Sequence, residues 1–122
     1  MKAPKARILC TEDDIDTRDL VRLILQLEGF EVIVADNAEQ AMGLARSEHF
    51  DLYLLDTWTP GISGDNLCRK LREFDSTTPV LFYSGAAYES DKARAFAAGA
   101  QGYLVKPASG DELLSEIHDL IR

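Results

Sequence analysis

Short β-rich runs and helical repeats alternate five times along this chain, and few architectures accept that order. Arg7–Thr11 (RILCT) reads as a strand, and Ile15 to Glu28 carries Leu20, Leu23, Ile24 and Leu27 at helical spacing. Gly29 follows as a stop. Glu31–Ala35 (EVIVA) is a second strand. Asn37 can cap a second helix with apolar positions Ala41, Met42, Leu44 and Ala45. Leu52–Leu55 (LYLL) is a third strand with Asp56 directly behind it, and Thr59-Pro60-Gly61 then breaks the chain. The spacing of Leu67, Cys68 and Leu71 predicts a third helix from about Gly64 to Phe74. Pro79 opens a fourth strand, VLFY. Asp91 to Ala98 reads as an Ala-rich fourth helix ended by Gly99, and Gln101–Val105 as a fifth strand. Ser109-Gly110-Asp111-Glu112 is a capping box before a last helix bearing Leu113, Leu114, Ile117, Leu120 and Ile121.

Strands that alternate strictly with helices form a parallel sheet covered on both faces, so the fold class is α/β and doubly wound. By analogy with flavodoxin-like sheets of this size, the expected strand order is 2-1-3-4-5, with the site at the switch between the first and third strands. The 122 residues suit one domain, spanning 1–122, and suffice to bury a core without disulfides or metal.

The composition, 46% apolar and 28% charged, is that of a soluble globular protein. No apolar run approaches the roughly 20 residues that span a bilayer. MKAPKAR carries positive charges with no apolar stretch behind it, which argues against a signal peptide and for a cytoplasmic protein. The net charge of -8 argues against direct nucleic-acid binding. Cys10 and Cys68 lie far apart without a CxxC pattern and read as small buried hydrophobes.

Ligands of such sheets gather at the carboxyl ends of the strands. The first strand ends in Glu12-Asp13-Asp14, the third in Asp56, the fourth in Ser84 and the fifth in Lys106-Pro107. Three carboxylates brought together raise each other's pKa unless a positive charge intervenes. A hard divalent cation such as Mg²⁺ answers that need, with waters and phosphate oxygens completing its shell. Lys106 offers a point donor to a phosphoryl oxygen, Ser84 a hydroxyl that can follow it, and a carboxylate can itself be the nucleophile of an acyl phosphate. Taken singly, each residue has an ordinary use: Asp13 or Asp14 as a helix cap, Asp56 and Ser84 in turns, Lys106 as a solvated lysine, Tyr103 as half-buried packing. The joint placement at strand ends carries the argument.

The stretches RILCTEDD, DLYLLDTWTPGISG, VLFYSG and AGAQGYLVKP, in that order, resemble the receiver domain of two-component response regulators. The resemblance implies that Asp56 accepts a phosphoryl group and that Glu12 and Asp13 hold Mg²⁺ together with Asp56 and the backbone carbonyl of Trp58. It further implies that Ser84 and Lys106 contact the phosphoryl group, that Tyr103 is a switch aromatic, and that the Lys106–Pro107 bond is cis. The implied partner is a sensor histidine kinase or a histidine phosphotransfer protein, and the implied activity is self-phosphorylation without turnover of an external substrate. Thr57 and Thr59 stand where apolar residues are common, Gly85 where alanine is usual, and Trp58 at a very variable position. A bulky Trp58 beside the phosphate, with Ala86 unable to orient water, leads to the expectation of a long-lived phosphoryl group.

Other functions fit less well. A phosphorylation-independent interaction module would not need every one of these groups. A flavin-binding domain needs a phosphate-friendly loop after its first strand, and TEDDIDT is acidic. An aspartyl phosphohydrolase commonly carries a second Asp two residues after its nucleophile, and that residue is Trp58.

Overall fold

The structure, a computed structural model, describes residues 6–121. Most of the basic N-terminal stretch therefore lies outside the described residues. The strands are β1 (Arg7–Thr11), β2 (Glu31–Ala35), β3 (Leu52–Leu55), β4 (Trp58–Thr59), β5 (Ile62–Ser63), β6 (Val80–Ser84) and β7 (Gly102–Val105). The helices are α1 (Ile15–Leu27), α2 (Ala38–Ser47), α3 (Gly64–Arg72), α4 (Glu89–Ala97) and α5 (Gly110–Ile121).

Five strands form one parallel sheet in the order β2-β1-β3-β6-β7, which is the expected order once the β4–β5 hairpin is set aside. The continuous apolar run of β3 is buried along its whole length, as a central parallel strand must be. Side chains alternate between the faces. Leu9, Tyr53, Leu55 and Phe82 pack against α2, α3 and α4, whereas Ile8, Leu52, Leu54 and Leu81 pack against α1 and α5. Both cysteines are buried and unpaired. Among the described residues no helix is long and apolar enough to cross a membrane.

The residues that marked α1 as a helix are not those it buries. Val21 and Leu25 face the sheet, while Leu20, Leu23 and Leu27 are 58%, 53% and 79% exposed. Apolar residues cover so wide an arc of this helix that periodicity identifies the element without selecting its inner face. The break at Thr59-Pro60-Gly61 is the turn of a small antiparallel hairpin, β4–β5. Proline followed by Gly61 at φ 107° suits a type II turn. Helix α4 starts at Glu89, two residues before the expected start, because the Asp91 carboxylate accepts the Tyr88 N–H at 3.1 Å and so closes the first turn. Helix α3 stops at Arg72, short of Phe74, where the Glu73 and Phe74 N–H groups donate to carbonyls three residues back, those of Lys70 and Leu71 at 3.2 and 3.3 Å, and tighten the last turn. Strand β7 starts at Gly102, one residue after Gln101, whose side-chain oxygen accepts the Val80 N–H at 2.8 Å.

Candidate functional site

Strands β1, β3, β6 and β7 are neighbours in that order, so their carboxyl ends deliver Glu12, Asp13, Asp56, Ser84 and Lys106 to one edge of the sheet. Oxygens of Glu12, Asp13 and Asp56 lie within 4.8 Å of one another. Glu12 and Asp56 are buried and Asp13 is exposed, which leaves the cluster open on one side. The Asp14 N–H donates to Glu12 Oε2 at 3.3 Å, while the Asp14 side chain serves the helix. Its carboxylate accepts the Thr17 N–H at 2.9 Å and the Thr17 hydroxyl at 2.6 Å, which caps α1 and holds its pKa below the usual carboxylate value.

Lys106 enters the cluster from the far side. Its Nζ donates to Glu12 Oε1 at 2.6 Å and to Asp56 Oδ2 at 3.2 Å, and lies 5.4 Å from the centre of the Tyr83 ring. Burial alone would lower its pKa, but the bond to Glu12 and the charge of Asp56 outweigh burial, so the ammonium is held protonated. Burial pushes the Glu12 carboxyl up, the bond from Lys106 opposes it and the neighbouring Asp56 reinforces it, and the net shift is upward. One ammonium thus faces three carboxylates. An all-oxygen donor set with excess negative charge and an open side fits a hard cation such as Mg²⁺.

A second chain of contacts runs from Asp56 along the loops. Asp56 Oδ1 accepts the Thr57 N–H at 2.7 Å, and the Thr57 and Ser84 hydroxyls are 2.6 Å apart. Ser84 is fully buried, and its Oγ also accepts the Ala86 N–H at 3.1 Å. The Ala86 carbonyl in turn accepts the Tyr103 hydroxyl at 2.6 Å. The half-buried Tyr103 ring stacks on Phe82, with centroids 5.8 Å apart and planes inclined by 7°. Burial raises the pKa of its phenol. The Lys106–Pro107 peptide bond is cis.

The hairpin frames the other wall. Trp58 is 75% exposed and borders an open cleft of about 420 Å³ together with Thr57, Ser63, Ala86, Asp91 and Arg94. The Gly64 N–H donates to the Thr57 carbonyl at 2.8 Å, and a Cβ on Gly64 would lie 2.0 Å from the Asp56 carbonyl oxygen. Gly64 and the Thr57 hydroxyl shape the site, yet periodicity singles out neither. Gly64 shows in the sequence only as a glycine at a helix start, and Thr57 only as a polar residue where apolar ones are common.

A sheet of this order with an acidic cluster and a lysine at its carboxyl edge defines a class, and the comparison with known families agrees. A family model described as the response regulator receiver domain matches residues 8–118, and the chain belongs to that family. The cell cycle transcriptional regulator CtrA of Caulobacter vibrioides is 37% identical over 116 residues, covering 95% of this chain and 50% of CtrA. The chain thus spans about half the length of the curated relatives it matches. Among solved structures, a CheY-like receiver domain protein from Methanospirillum hungatei superposes with TM-score 0.89 at 30% identity, covering 94% of this chain and 92% of that one. A putative response regulator from Chloroflexus aurantiacus gives TM-score 0.91 at 30% identity, covering 97% and 98%.

Proposed function

We propose that residues 1–122 act as one receiver domain that takes a phosphoryl group from a kinase phosphohistidine onto Asp56 and thereby switches a protein-interaction surface. The observation that carries this reading is the convergence of the Glu12, Asp13 and Asp56 carboxylates with the Lys106 ammonium at one sheet edge. An oxygen of Asp56 attacks phosphorus, the phosphorus–nitrogen bond of the donor breaks, and the leaving imidazole takes up a proton. Glu12, Asp13, Asp56 and the Trp58 carbonyl would hold Mg²⁺, which supplies positive charge for the phosphoryl oxygens when bound. Lys106 lies 3.2 Å from Asp56 Oδ2 and is placed to neutralise charge on the incoming group.

Once phosphorylated, Asp56 draws the Ser84 hydroxyl towards a phosphoryl oxygen. The bonds that the Ala86 N–H donates to Ser84 and the Tyr103 hydroxyl donates to Ala86 carry the change to the surface of α4, β7 and α5. The partner on the input side is a sensor histidine kinase or a histidine phosphotransfer protein. The exposed Ile15, Leu20 and Leu23 on α1 offer it apolar contact, with Leu20 sharing a groove with Lys106 and Pro107. The domain works in the cytoplasm, binds no nucleic acid directly and turns over no external substrate.

The test is intact mass after incubation with a small phosphodonor, with and without Mg²⁺. One phosphoryl adduct, lost in Asp56→Asn and in chelator, is expected. An adduct that survives either change would overturn the assignment.

A further inference from the structure

The resting Ser84 hydroxyl is not free. It is fully buried, accepts the Ala86 N–H at 3.1 Å and shares a 2.6 Å contact with the Thr57 hydroxyl. Each of the two hydroxyls has a single proton. The Thr57 hydroxyl lies 3.4 Å from Asp56 Oδ1, the same oxygen that accepts the Thr57 N–H at 2.7 Å. With Asp56 ionised, both protons find an acceptor when Ser84 donates to Thr57 and Thr57 leans towards Asp56. Resting on the reading of Asp56 as the phosphorylated residue, we propose that Thr57 is a positioning residue whose hydroxyl latches Ser84 in the resting state and competes with the phosphoryl group for the single Ser84 proton.

The competition follows from proton counting. Ser84 cannot donate to Thr57 and to a phosphoryl oxygen together. Phosphorylation weakens the latch at its base, because in the acyl phosphate neither carboxyl oxygen of Asp56 keeps the carboxylate charge, and it supplies stronger acceptors. Ser84 then changes partner. The loop bearing Ala86 is tied to Tyr103 at 2.6 Å, so the latch also biases the resting position of that ring. An apolar residue at 57 would leave the buried Ser84 hydroxyl without this acceptor and raise the resting state relative to the switched one.

The experiment measures binding of beryllium trifluoride, a phosphoryl mimic, in the presence of Mg²⁺ by amide chemical shifts of Ser84, Ala86 and Tyr103. Thr57→Val is expected to bind the mimic roughly 2- to 10-fold more tightly than the native chain, the worth of one hydrogen bond lost from the resting state alone. Thr57→Ser restores native affinity. In a Ser84→Ala background, Thr57→Val has no further effect, a coupling that a merely structural role would not produce. Weaker binding in Thr57→Val would mean that this hydroxyl contacts the phosphoryl group directly, and equal binding would mean no latch; either overturns the proposal. Failure of the native chain to bind the mimic, or undiminished binding in Asp56→Asn, overturns the phosphorylation reading and the latch with it.

Discussion

Replacing Gly64 by alanine tests whether the site depends on close packing of backbone against backbone. Gly64 does not have the positive φ that favours glycine at Gly29, Gly61 and Gly99, so the constraint is space. A Cβ there would lie 2.0 Å from the Asp56 carbonyl oxygen, 2.9 Å from its carbon and 3.0 Å from Phe82 Cε2. Normal carbon–oxygen contacts begin near 3.3 Å. The helix start or the Asp56 peptide must therefore move by about 1 Å, and Phe82, wholly buried in the core, cannot yield freely. Overpacking of this kind costs about 1–3 kcal/mol, and the helix propensity gained by alanine returns at most about 1 kcal/mol. With backbone on one side and a core ring on the other, a net loss of about 2 kcal/mol is expected, a fall in Tm on the order of 8 °C for a domain of this size. Urea and thermal unfolding measure it, and phosphorylation of Asp56 should slow as its carboxylate is displaced. Gly43 in α2 is the control: nothing lies within 4 Å of its Cβ, so Gly43→Ala should stabilise by about 0.5–1 kcal/mol. A Gly64→Ala chain as stable as the native one would refute the packing argument.

Three other substitutions probe the charges and the exposed wall. Burial would raise the Asp75 carboxyl, but bonds from Thr78, Tyr53 and Thr77 outweigh it and hold the pKa well below the usual carboxylate range. A depressed folded pKa contributes stability that is present above about pH 4 and lost as the pH falls towards the folded value; solvent screens part of this for a carboxylate that is only half-buried, so Asp75→Asn should cost about 1 kcal/mol at pH 7, with the gap closing in acid; urea melts across pH 2–7 that show a constant gap would contradict this. Lys106→Ala should keep or strengthen Mg²⁺ binding, because it removes a positive charge from beside Glu12 and Asp56, and a titration showing binding lost would count against the metal assignment. Trp58→Asn should leave stability within about 0.5 kcal/mol, as the side chain is 75% exposed, yet speed the decay of the phosphorylated protein; equal or slower decay would mean the indole does not shield the phosphate.

Much of this molecule is legible residue by residue, because the signals involved are local. The run LYLL is apolar on both faces, which places β3 in the middle of a parallel sheet, and Asp56 directly after it must emerge at the carboxyl edge. The same reasoning brings Glu12, Ser84 and Lys106 to that edge once the strand order is known. Caps at Asn37 and Ser109 announce α2 and α5 in the chain itself, since a short side chain needs only the next turn as its partner. Other features depend on residues distant in sequence. Periodicity cannot say that α1 turns Val21 and Leu25 inward and leaves Leu20, Leu23 and Leu27 in solvent, because both sets recur with the helix and the choice belongs to the sheet beneath. Nor can a lone glycine at 64 disclose that Asp56 and Phe82 press on it, or a threonine at 57 that its hydroxyl meets Ser84, 27 residues away. Those contacts exist only once β3 and β6 lie side by side, with Leu55 opposite Phe82, so that the loops after the two strands meet.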